Sequence, residues 1–128
     1  MGKKTADVVM DQPGQYVAAN ADRMVLCETE PFDYSAANSQ KGSGGVALGD
    51  VTVTGSDFSQ ADGDSSGRKM VVAQKQIVVD VAGAADHVAL VDDGNSVLLH
   101  VTTAGSTQVE AGQTRTIESY DEEFEDPS

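Results

Sequence analysis

Tryptophan is absent from this chain of 128 residues, and phenylalanine and tyrosine together number six. So few rings disfavour an exposed aromatic platform of the kind that stacks on sugars. A core must instead be assembled from Val, Ala, Leu and Ile. Such a core is thin, which gives a motive to expect association with further copies as an added source of stability. At this length a single domain is expected, large enough to bury a core without covalent staples.

Basic residues are scarce as well. Eight Lys and Arg face 21 Asp and Glu, a net charge of −13. Such a surface repels phosphates and anionic headgroups, so neither nucleic acid nor a membrane is expected as a partner. The simplest use of the acidity is solubility; the alternative is docking on a basic surface. The single cysteine, Cys27, permits no internal disulfide and implies no oxidising compartment. Beside Val25 and Leu26 it reads as a small buried apolar residue. A nucleophile would need an activating partner, and neither histidine lies near it in sequence.

Long apolar runs are missing too, and nothing approaches the ~20 residues that span a bilayer. The opening Met1-Gly2-Lys3-Lys4-Thr5-Ala6 lacks the apolar stretch of a signal peptide. It also puts Ala6 where a myristoylation signal wants Ser or Thr. A soluble protein made in the cytosol is the expectation. No Gly-x-Ser-x-Gly elbow, Walker loop or His-Glu-x-x-His stretch occurs. Neither an enzyme nor a cofactor is expected.

What the chain does have is a series of short β-branched runs. Residues 77–81, 88–91 and 97–101 are the clearest, the last two separated by Asp92-Asp93-Gly94-Asn95-Ser96. Asp-Gly and Gly-Asn accept the positive φ of hairpin turns. If Asp93-Gly94 is a two-residue loop, Val88, Leu90, Val97 and Leu99 face the core. His87 and His100 are then directly opposed on the other face. Residues 23–28 read as the first strand, stopped by Pro31. Residues 49–55 alternate, with Val51 and Val53 on one face and Thr52 and Thr54 on the other. Further strands are expected over 68–73, 76–81 and from 87, and residues 114–124 alternate in part. Residues 59–67 read as a loop, and 83–85 as a turn.

Seven or eight short strands at roughly 8–12-residue spacing predict an all-β domain, a small antiparallel sandwich or barrel. Helical propensity is confined to one or two short segments near the N-terminus, at 15–21 and 34–40. Residues 1–12 are polar and aperiodic, so they form an expected extended arm. The β domain then occupies 13–128 and closes with the acidic segment 121–128. No internal repeat is visible.

Three groups of residues invite a chemical reading. Asp62, Asp64 and Ser66, followed by Gly67, copy the first half of a calcium loop. The closing bidentate Glu is missing, because residue 73 is Ala73. An acidic turn is the simpler reading, and no metal is expected. His87 and His100 would supply two zinc ligands. Cys27 and an Asp would have to complete the set, so surface or interface histidines are preferred. The run from Asp121 to Asp126 is either a solvated tail or a final strand anchored by Tyr120 and Phe124. In the second case Glu122 and Phe124 would meet a basic partner. Lys3 and Lys4 give the arm a positive end, suited to an acidic patch. These four residues are the candidate partner contacts.

Four segments together resemble a family of small head-associated virion proteins of tailed bacteriophages. They are residues 48–58 (Leu-Gly-Asp-Val-Thr-Val-Thr-Gly-Ser-Asp-Phe), 61–69 (Ala-Asp-Gly-Asp-Ser-Ser-Gly-Arg-Lys), 85–92 (Ala-Asp-His-Val-Ala-Leu-Val-Asp) and 98–103 (Leu-Leu-His-Val-Thr-Thr). The ending Glu125-Asp126-Pro127 is similar, and the likeness covers about residues 16 to 127. It implies a non-enzymatic structural protein, a capsid decoration (cement) protein on the virion surface, synthesised in the host cytoplasm. The expected partners are the major capsid protein and further copies of the chain, as a trimer. A connector, tail or fibre-base component is the alternative within the virion. A β-sandwich module binding a host surface or carbohydrate is the alternative from another class.

Overall fold

The computed structural model describes residues 12–63 and 67–124, with the side chains of Glu123 and Phe124 outside the description. Two antiparallel sheets form a curled half-barrel. The larger has six strands in the order β7-β6-β1-β2-β5-β8: β1 Arg23–Cys27, β2 Ala47–Thr52, β5 Lys75–Val79, β6 Gly83–Asp92, β7 Val97–Val109 and β8 Thr114–Ile117. The smaller places β4 (Arg68–Val72) between β3 (Phe58–Asp62) and β9 (Tyr120–Phe124). Among the described residues two short α-helices accompany them, α1 (Gln12–Asn20) and α2 (Tyr34–Asn38). The expected mainly β architecture is present.

The main core lies between the two sheets. Met24, Leu26, Val88 and Leu90 of the large sheet meet Phe58, Met70 and Val72 of the small one, and Val17 and Ala21 at the end of α1 close one side. A second cluster occupies the opposite face of β1 and β6, where Val25, Cys27, Ala89 and Val91 lie beneath Ala37 of α2. Both faces of these two strands are therefore dry. This explains why they read as unbroken apolar runs instead of alternating. The covering helix is held by Asp33, whose side chain accepts from the Ala36 amide at 2.8 Å.

β2 obeys its alternation only with a bulge. Its pairing with β1 slips between Leu26 and Cys27, so Leu48 is the extra residue. Gly49 then lies so close to β5 that a Cβ there would stand 2.5 Å from the Val78 carbonyl oxygen. Only glycine fits.

Three expectations need correction. Residues 59–62 belong to β3, paired with β4, although they read as loop. Ser59 to Asp62 carry little β propensity, and it is the cross-strand partners, Met70 opposite Gln60 for example, that make them a strand. Residues 83–85 begin β6 rather than turn before it. The third correction is the β6–β7 register. The loop holds four residues, 93–96, with Asp92 paired to Val97 and the positive φ at Ser96. A bulge at Leu99 then adds one more residue to β7. His87 therefore opposes Thr103, and His100 opposes Leu90.

One cause of that register is local and another is tertiary. Buried Asp92 accepts from the Asn95 backbone at 3.2 Å and its side-chain amide at 2.8 Å. Asp22 reaches across to accept from the Asp93 amide at 2.8 Å. Together they stabilise a wider loop than Asp-Gly alone demands. The two extra loop residues keep the face assignment, and the single bulge residue reverses it. His100 consequently turns to the inner side with Leu90, while His87 stays on the α2 side. Leu99 still packs on the main core, and Val97 lies exposed instead of in it.

Candidate functional site

The large sheet curls until its two edge strands, β7 and β8, approach without pairing. Between them is a cavity of about 260 Å³, lined by Thr102, Thr103 and Ala104 on one side and residues 115–120 on the other. The Arg115 side chain bridges the gap. Arg115 of β8 donates from Nη2 to the Ala104 carbonyl at 2.7 Å and, more weakly, to that of Gly105 at 3.4 Å. β7 presents these carbonyls because it departs from its ladder over residues 104–106, where Gly105 adopts φ +71°.

The seam concentrates unsatisfied polar groups. Four buried side-chain polar atoms among the described residues have no hydrogen-bond partner: Arg115 Nη1 and the Tyr120 hydroxyl are on residues that line this cavity, and His100 Nδ1 is on the ring stacked against Tyr120. His100 and Tyr120 stack with centroids 6.5 Å apart, and His100 Nε2 lies 3.4 Å from Glu122 Oε2. Burial, helped by Glu122, pushes the Tyr120 phenol up to about 12, so it stays a neutral donor. Ser119 Oγ donates to the Val72 carbonyl at 2.8 Å and ties the β8–β9 connection to β4.

The cations sharpen the contrast. Arg23, Lys41, Arg68, Lys69 and Lys75 each have a carboxylate within ion-pair distance. Arg115 is the one described Lys or Arg for which no such pair exists. In a chain this acidic, an unpaired guanidinium is the exception.

A second polar cluster does structural work on the opposite face. Arg23 donates from Nε and Nη2 to the two Asp93 oxygens, both at 2.8 Å, and from Nη1 to Asp50 at 2.6 Å. Nη2 also reaches Asn38 of α2, and the Tyr34 hydroxyl donates to Asp93 at 2.9 Å. The bidentate fork holds the Asp93 carboxyl below its usual range, with the Tyr34 bond helping. Cys27 is nearby and opposes His87 across the β1–β6 ladder, a neighbourhood that sequence distance conceals. Its thiol nonetheless points to the Val25 carbonyl at 3.7 Å, and burial pushes it up to about 12. A neutral, enclosed thiol is no nucleophile.

The residues singled out by sequence fall in different places. Asp62 ends β3 and pairs with Arg68 at 2.6 Å, which leaves its carboxylate committed to a cation. Asp64 and Ser66 lie outside the described residues, as do Lys3, Lys4 and the Phe124 side chain. Glu122 sits in β9, which pairs with β4, so the segment from Tyr120 to Phe124 is a strand. Among the described residues no three of His, Cys, Asp and Glu come together to hold a metal. The sequence offers Tyr120 only as an anchor of the last strand and does not single out Arg115. Their role depends on two strands meeting without pairing, which no local pattern announces. Comparison with models of protein families, with curated proteins and with solved structures finds no match for this chain.

Proposed function

We propose that this chain is a structural protein of a bacteriophage virion, a decoration protein that binds the outer surface of the head. Its partners are then the major capsid protein and further copies of itself, as a trimer, and it is not an enzyme. One observation carries the reading: four separated segments jointly resemble head-associated virion proteins. Two of those segments face each other as β6 and β7, and the others contribute β2 and the β3–β4 hairpin. The likeness thus spans both sheets.

Surface chemistry supports a partner-binding role. Pro13 and Tyr16 of α1, with Val97, Leu98 and Leu99 of β7, line an apolar groove of about 340 Å³. Tyr16 is 56% exposed and Val97 37%. On a chain of net charge −13, such a patch is where contact with the shell loses least by desolvation. It also lies where residues 1–11 join the described part of the chain, so arm and groove would engage the same neighbour.

Deletion of residues 2–12 tests this. The truncated domain is expected to fold, judged by far-UV circular dichroism, and to show reduced occupancy on purified particles. Repeated copies on a shell multiply weak contacts, so a modest loss per copy empties many sites. Full occupancy by the truncated chain would remove the arm from the attachment surface. Copy number decides the position: hundreds per particle mean decoration, and a single ring of copies means a connector or tail component.

A further inference from the structure

The groove between α1 and the start of β7 opens onto the core. Val17 and Met70, which line it, are buried, while Tyr16 and Val97 beside them are exposed. Pro13, Tyr16 and Val17 stand at i, i+3 and i+4, so one face of α1 forms a wall. A cleft of about 340 Å³ admits several aliphatic side chains, and on a chain of net charge −13 such an apolar surface stands out. The chain carries a segment that matches it. Val8-Val9-Met10 is the one run of three apolar residues within 1–11, bracketed by Asp7 and Asp11, and it lies outside the described residues.

We propose that in the free chain Val8, Val9 and Met10 occupy this groove, so that the arm folds back on its own domain. Reach favours this. Met10 precedes Pro13 by three residues, about 10 Å when extended, and Tyr16 lies one helical turn, about 5 Å, further along α1. A reversal at Asp11 therefore brings the apolar run into the groove with α1 intact. Charge favours it as well. Lys4 precedes Val8 by four residues, about 13 Å of extended chain. That carries Lys3 and Lys4 within reach of Glu122, whose Oε2 lies 3.4 Å from Nε2 of the groove residue His100. Asp7 and Asp11 stay at the rim, in water. The competing occupant is the arm of a second copy. A tether this short sets an effective concentration in the millimolar range, and a second copy brings 13 net negative charges against 13. The arm in place covers the patch offered above to the shell, so attachment exchanges an internal contact for an external one. That consequence rests on the capsid reading, whereas occupancy of the groove does not.

The methyl-labelled full chain is compared by NMR with a version lacking residues 2–10, without particles. Deletion is expected to shift the methyl resonances of Val17, Met70, Val97, Leu98 and Leu99 and to leave those of Val25 and Val91 in place. Far-UV circular dichroism is expected to show a folded domain in both. A peptide of residues 1–11, added to the truncated chain, is expected to move the groove resonances back. Val8→Asp with Met10→Asp in the full chain is expected to reproduce the deletion, because a carboxylate in an apolar cleft loses its hydration. Spectra of the full chain are expected not to change on dilution. Groove resonances indifferent to the deletion and to the paired substitution would overturn the proposal. Shifts that vanish on dilution would assign the groove to a second copy and overturn it equally. No particle enters these measurements, so a chain that passes them and never decorates a head refutes the capsid reading alone.

Discussion

Arg23 reaches from the start of β1 to the β6–β7 loop, to β2 and to α2, through Asp93, Asp50 and Asn38. One planar group thus fixes the positions of three elements, which a lysine could not do with a single ammonium. The carboxyl of Asp93 is more acidic folded than unfolded, mainly because the Arg23 fork binds its charged form. The stabilisation it contributes is complete at neutral pH. It is lost only as acid takes the solution below the ordinary aspartate pKa of about 4 and on through the lower folded value. Asp93→Asn preserves the shape and removes the charge. In urea denaturation the stability gap between wild type and variant is expected to be constant from pH 7 to about 5, and to close below about 4. A gap unchanged at pH 2 would mean that the charge on Asp93 is not coupled to folding.

At the level of elements, the β6–β7 hairpin shows what the amino-acid pattern reveals and what it conceals. Runs such as Val88–Ala89–Leu90–Val91 and the Asp-Gly turn announce two strands and a reversal, and both are there. The register is not announced. It depends on Asp92 bonding within the loop, on Asp22 reaching it from the start of β1, and on a bulge at Leu99, and the last two are tertiary choices. β3 was illegible for the same reason, since it is a strand only by virtue of β4. The seam cavity is a step further removed, because it requires knowing how far a six-stranded sheet curls. Leu90 tests the packing of this hairpin against the main core, where it is completely buried. Leu90→Ala is expected to cost about 2–5 kcal/mol, read by chemical denaturation. A loss under about 1 kcal/mol would mean that the site collapses around the missing atoms or that Leu90 does not face the core.

For the molecule as a whole, charge sets up a contest between short and long distances. Favourable pairs are close: Lys41 to Glu28 at 3.0 Å, Lys69 to Asp121 at 3.1 Å, Arg68 to Asp62 at 2.6 Å. The excess of carboxylates, by contrast, is spread over the surface and repels across longer separations. Salt screens these two sets unequally. The Debye length falls from about 30 Å at 0.01 M to about 8 Å at 0.15 M ionic strength. Pairs in contact remain inside it at either concentration, while carboxylates 10–30 Å apart are largely decoupled. The repulsion from 13 net negative charges therefore weakens more than the attraction does. Raising sodium chloride from about 10 to 150 mM is expected to raise Tm, followed by circular dichroism at neutral pH. Chloride salts of different monovalent cations should act alike, because screening depends on ionic strength. A Tm that falls with salt would show that the close ion pairs, the Arg23 cluster foremost, dominate the electrostatics of this fold.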